Sequence, residues 1–198
     1  MNGKTMHSVC VFCGSSSGVR AEYAAAARSL GAELARRGIR LVYGGASVGL
    51  MGELADAALA AGGRVVGVLP RHLEAKELAH GGLSELHVVE SMHERKARMS
   101  DLADAFVVLP GGYGTLDETF EALTWSQLGL QDKPVAFLDV AGYFRPLAGF
   151  LDHCHREGFL RAEHRDLVIM ASDPPVLLDA LGTWSPARVD KWLTSGER

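Results

Sequence analysis

The 198-residue chain has little of what would place it outside the ordinary globular classes. Its three cysteines are too few and too odd in number for a disulfide scaffold, and they suit a reducing compartment. No stretch approaches the roughly 18 uninterrupted apolar residues of a membrane span. Residues 1–4 lead almost directly into Val9-Cys10-Val11-Phe12, without an apolar h-region or an A-x-A cleavage pattern, so a cytoplasmic location is expected. Acidic and basic residues are interspersed to a net charge of -4, which offers a polyanion no field and argues against nucleic acid as partner. There is no internal repeat, low-complexity tract, H-E-x-x-H, paired C-x-x-C, calcium loop or G-x-S-x-G elbow. With 47% hydrophobic residues, the chain reads as a single domain, residues 1–198, able to bury a core without staples.

What is present is alternation. Short runs of Val, Ile, Leu and Phe predict strands at 7–13, 39–43, 64–69, 85–90, 105–109, 134–138 and 167–170, with longer segments of helical period between many of them. Tyr23, Ala27, Leu30 and Leu34 share one helical stripe that Gly38 should close as a C′ glycine. A second helix is expected at 50–61, ending in Gly62-Gly63. Ser91 with Glu94 and Thr115 with Glu118 have capping-box spacing, predicting helices at 92–103 and from Thr115 to about Leu128. Asp173-Pro174-Pro175 predicts an N-cap and a helix to Leu181, while 70–84 reads as a loop with a helical turn. The fold class that follows is α/β, a Rossmann-like doubly wound sandwich with a mainly parallel sheet.

In such sheets ligands bind beyond the carboxyl ends of the strands. Three glycine-rich turns fall there: Gly14-Ser15-Ser16-Ser17-Gly18, Gly44-Gly45-Ala46-Ser47-Val48-Gly49-Leu50-Met51-Gly52 and Pro110-Gly111-Gly112-Tyr113-Gly114-Thr115. Any one could simply tighten a strand-to-helix turn, but three together describe a phosphate site, with close backbone approach and unpaired N–H groups at helix starts. The second turn continues in Leu50-Met51 rather than Lys-Ser/Thr, so it is not a P-loop. No G-x-G-x-x-G follows the first strand and no acidic residue ends the second, which argues against a dehydrogenase.

The polar candidates lie on the two helices with capping boxes. Met92, Arg95 and Met99 share one face, with Lys96 about 100° further round. A basic face flanked by methionines suits a phosphorylated aromatic ligand, although a solvated charged helix has the same pattern. Glu118 has two readings, as the capping partner of Thr115 or as a carboxylate placed beside whatever carries the phosphate. One carboxylate at a reacting carbon, with no metal ligands near it, suits glycosyl hydrolysis or transfer. His153-Cys154-His155 does not share a helical face and is not expected to bind metal. Cys10 and Cys13 have the spacing of a redox pair, yet in a strand they point to opposite faces and are expected to be structural.

Pro110-Gly111-Gly112-Tyr113-Gly114-Thr115-Leu116-Asp117-Glu118 resembles the P-G-G-x-G-T-x-x-E motif of the Lonely Guy (LOG) family, the cytokinin riboside 5′-monophosphate phosphoribohydrolases. Val11-Phe12-Cys13-Gly14-Ser15-Ser16, Val42-Tyr43-Gly44-Gly45, Gly49-Leu50-Met51-Gly52, Met92-x-x-Arg95-Lys96 and Leu123-Thr124-Trp125-x-Gln127-Leu128-Gly129 resemble family segments in the same order. The resemblance implies a homodimer that releases the base from N6-modified AMP as free cytokinin and ribose 5-phosphate, without metal or cofactor. It implies Arg95 and Glu118 as the catalytic pair. Gly14, Ser15, Gly44, Gly45, Met51, Glu77, Met92, Lys96, Gly111, Gly112, Tyr113, Gly114, Thr115 and Thr124 would surround the nucleotide. Asp117 stands where relatives commonly carry Glu. The lysine decarboxylase label often attached to such proteins finds no support in these residues. A general AMP nucleosidase and a non-catalytic nucleotide or cofactor carrier remain as alternatives.

Overall fold

The computed structural model describes residues 6–74 and 79–185. Among the described residues, seven parallel strands form one sheet in the order β4-β3-β2-β1-β5-β6-β7: β1 Ser8–Phe12, β2 Arg40–Tyr43, β3 Val65–Pro70, β4 Glu85–Val89, β5 Ala105–Val108, β6 Val135–Leu138 and β7 Val168–Ala171. Each of the seven expected strands is present, shifted or trimmed by one or two residues. The central strands carry apolar side chains on both faces because helices cover both. Thus Val9, Val11 and Cys13 enter one core layer, while Cys10 and Phe12 enter the other.

The first layer is built by α1 (Ala21–Arg36), α2 (Gly49–Ala60) and α8 (Pro174–Thr183), which bring Leu30, Leu34, Leu54, Leu177 and Leu181 against the sheet. The second is built by α4 (Met92–Asp101), α5 (Tyr113–Gln127) and α6 (Arg145–Arg156), which bring Met99, Ala122 and Leu147 there. Phe144, at the N-cap of α6, stacks edge-on against Phe137 of β6 in the same layer. Among the connections, α3 (Arg71–Glu74) is the single helical turn expected in 70–84, and α7 (Ala162–Arg165) packs on α6.

Helix ends follow the sequence closely, with one exception. Gly38 has φ 67° and closes α1 in a Schellman arrangement, its N–H on the Ala35 carbonyl and that of Ile39 on Leu34. Ser91 Oγ accepts from the Glu94 N–H at 3.1 Å, and Asp173 caps α8. The expected Thr115–Glu118 capping box does not form. Gly112 is the N-cap, α5 starts at Tyr113, and Thr115 lies inside the helix, 4% exposed. Glycine caps without a side chain, and that frees Glu118 from the role which the spacing suggested.

The strand order reverses direction at β1, whose neighbours β2 and β5 lead into opposite halves of the sheet. Loops leaving the carboxyl ends of β1 and β5 therefore diverge and open a crevice between them. The three glycine turns follow β1, β2 and β5, so the topology gathers all three at that crevice.

Candidate active site

Backbone bonds fix the three turns to one another. The Gly14 N–H donates to the Pro110 carbonyl at 3.0 Å, and the Leu50 N–H donates to the Gly14 carbonyl at 3.1 Å. They enclose a cavity of about 230 Å³ lined by Val11, Cys13, Gly14, Ser15, Gly44, Met51, Met92, Arg95, Gly112, Tyr113, Gly114, Thr115, Asp117 and Glu118. One wall is the start of α5. Its cap is a glycine with no side-chain bond to the first turn, and that turn carries no acidic residue. The first N–H groups and the positive end of the helix dipole are thus directed to a ligand, an arrangement suited to phosphate.

Arg95 is only 7% exposed, a rare state for an arginine unless its donors are met. Nε donates to the Val68 carbonyl and Nη2 to the Gly44 carbonyl, each at 3.1 Å. Nη1 turns to the cavity, 3.9 Å from both Met92 Sδ and Glu118 Oε1. The carboxylate is itself well shielded, with its side chain 11% exposed. The solvated-helix reading therefore fails for Arg95, which is anchored across the ends of β2 and β3. Met99 also departs from the expected picture: it is buried in the second core layer rather than flanking a ligand. Periodicity puts Met99 on the same face as Arg95, but only the longer arginine reaches the sheet's edge from that face.

The guanidinium fits because residue 44 has no Cβ. A methyl group there would collide with Arg95 Nη2. Gly44→Ala is accordingly expected to displace the guanidinium and lower kcat/KM by roughly 10²-fold, the scale of an ångström-level misplacement of a catalytic group. Steady-state kinetics with a melting curve would check it, and unchanged kcat/KM would show that Arg95 placement is not critical.

Other expected site residues are not among those lining the cavity. Lys96 points across to α5, where Nζ bridges Asp117 at 3.1 Å and Glu121 at 3.0 Å, and these carboxylates hold its pKa above the ordinary lysine value although partial burial opposes them. Gly45, with φ 82°, packs against Leu69 and Leu86 behind the cavity. Gly111 lies under the turn, where a Cβ would collide with Thr115 and the Gly14 backbone. The Thr124 hydroxyl donates to the Phe120 carbonyl on an exposed face of α5. Glu77 lies outside the described residues, as does 186–198.

Sequence reasoning missed Val11, Cys13 and Asp117 as parts of the wall. Asp117 follows from its place one residue before Glu118 on the first turns of α5. Burial and the nearby Glu118 push the Cys13 thiol pKa well up, so a thiolate nucleophile is disfavoured. Among the described residues no group of three His, Cys, Asp or Glu is placed to hold a metal ion, and no helix is long and apolar enough to cross a membrane.

A family model described as possible lysine decarboxylase matches residues 51–181. Among the described residues, no lysine lines the cavity. A probable cytokinin riboside 5′-monophosphate phosphoribohydrolase of Oryza sativa subsp. japonica is 50% identical over 94% of this chain and 84% of its own. The cytokinin riboside 5′-monophosphate phosphoribohydrolase of Rhodococcoides fascians is 52% identical, covering 85% of this chain and 86% of its own. Among solved structures, a molybdenum cofactor carrier protein from Chlamydomonas reinhardtii superposes with TM-score 0.67 over 87% of this chain and 93% of its own, at 24% identity, which speaks to the fold alone. With half its residues shared across most of the length of such relatives, and the glycine turns closed around one cavity, this chain belongs to the Lonely Guy family of phosphoribohydrolases.

Proposed function

We propose that the protein hydrolyses the N-glycosidic bond of cytokinin riboside 5′-monophosphates, giving the free base and ribose 5-phosphate. The observation that carries the reading is the Arg95–Glu118 pair, 3.9 Å apart and shielded, beside the open N-terminus of α5. The phosphate sits on the first turn of α5, with Gly112, Gly114 and Thr115 around it. This places the ribose over Glu118. As the bond to the base lengthens, positive charge develops on the ribosyl carbon and its ring oxygen; the carboxylate stabilises it and orients the attacking water. Arg95, tied down by two carbonyls, holds Glu118 in place and offers Nη1 to the substrate. Met51, Met92 and Tyr113 supply an apolar rim, Met92 being 38% and Tyr113 95% exposed, which suits a base carrying an apolar N6 substituent.

The reading includes a homodimer, supported by the exposed Phe120, Leu128 and Leu130 on and after α5. It also includes a cytoplasmic location, in keeping with the free Cys10, Cys13 and Cys154. Incubation with N6-isopentenyl-AMP, and separately with AMP, followed by chromatography, tests it. Release of base with a clear preference for the isopentenyl form is expected. Faster release from AMP would make the protein a general AMP nucleosidase, and binding without release from either would make it a carrier.

A further inference from the structure

One polar contact at the turn after β5 comes from outside the cavity wall. The Tyr143 hydroxyl donates to the Gly111 carbonyl at 2.6 Å across 32 residues of chain. Tyr143 follows a 3-10 turn, Val140–Gly142, that leaves β6, the strand beside β5. Its backbone is bent to reach this place. Ala141, the one non-glycine residue with positive φ among the described residues, has φ 52°, and Gly142 has φ 76°. The ring is wedged edge-on between Tyr23 at 5.7 Å and Phe144 at 5.0 Å, while the Phe144 N–H is held by Asp139 Oδ1 at 2.7 Å. Backbone strain kept in place by such packing tends to mark functional positions.

The consequence of the bond follows from peptide geometry. In a trans peptide the C=O of Gly111 and the N–H of Gly112 point in opposite directions. Tyr143 and Gly111 line a second, smaller hollow and not the catalytic cavity, whereas Gly14 and Gly112 line both. Gripping the carbonyl from that hollow keeps the Gly112 N–H turned away from Tyr143, free to serve the catalytic cavity that Gly112 also lines. A peptide between two glycines can readily turn over. Were it to do so, an acceptor oxygen would face the phosphate instead of a donor.

We propose that Tyr143 is a positioning residue, which locks the Gly111–Gly112 peptide with its N–H towards the substrate phosphate. The inference rests on the reading that the α5 turn binds a 5′-phosphate. It is tested with Tyr143→Phe, which keeps the ring packing and removes only the donor. The expected result is a rise of about five- to tenfold in KM for the nucleotide and in the calorimetric Kd for ribose 5-phosphate, the scale of one lost hydrogen bond, with kcat changed far less. A merely structural role would lower the melting temperature and kcat without this split. Unchanged KM and Kd in a variant that melts like the wild type, or a fall in kcat with KM unchanged, would overturn the proposal. Should wild-type protein bind ribose 5-phosphate yet release no base, the hydrolase reading fails and the Kd comparison still decides the role of Tyr143. Failure of wild-type protein to bind ribose 5-phosphate would overturn both.

Discussion

Replacing Glu118 by glutamine is expected to reduce kcat by about 10²- to 10⁴-fold, the range ascribed to a positioned acid, base or charge-stabilising group. The amide has the same shape, so Oε1 can still face Arg95 Nη1. It carries no charge to set against the cationic ribosyl centre, and it is a poor base for water. Because this interaction grows mainly in the transition state, KM and nucleotide affinity should move little while kcat and kcat/KM fall together. Removal of a negative charge from a site that binds an anion works, if anything, towards tighter binding. Steady-state kinetics on N6-isopentenyl-AMP and calorimetry with AMP would measure both sides. Activity within threefold of the wild type would remove Glu118 from the chemistry.

The same glutamate shows where sequence reading stops. Its spacing from Thr115 is that of a capping box, and local sequence cannot tell a capping carboxylate from one aimed into a cavity. The decision came from Gly112, which starts the helix early and leaves Thr115 and Glu118 on its first turns. By contrast the strands were legible, since parallel strands buried on both faces must be continuously apolar, and β1, β3 and β5 read that way. The convergence of the three glycine turns was legible too, because a doubly wound sheet puts every strand-to-helix turn at one edge. Arg95 was visible as a residue on a face but not as a buried one; only the closeness of the Val68 and Gly44 carbonyls explains how a cation is kept there. Lys96, its neighbour in sequence, joins an ion-pair cluster with Asp117 and Glu121, since one step along the helix rotates it from the Arg95 face towards α5. Tyr143 left no trace in spacing at all. Its reach depends on the left-handed backbone at Ala141, which nothing in the residue type announces.

Arg95→Ala should behave quite unlike Glu118→Gln, losing stability as well as turnover. Truncation leaves the Val68 and Gly44 carbonyls without the guanidinium donors, removes the cation facing a shielded carboxylate, and opens a space beside Met51 and Met92. Each of these costs free energy in a buried place, and together they suggest a loss of about 3 kcal/mol. For a domain of this size that corresponds to a melting temperature lowered by roughly 6–12 °C. Arg95→Lys is the informative companion. A single ammonium on a flexible stem cannot span both carbonyls with a planar fork and also face Glu118, so it should recover part of the stability and little of the activity. Differential scanning fluorimetry beside the kinetic assay separates the two contributions. If Arg95→Ala melted with the wild type while turnover collapsed, the guanidinium would be a purely chemical group and its anchoring to the strand ends incidental. A large drop in melting temperature means that the fold supplies the site by building one of its own ties from the residue that does the chemistry.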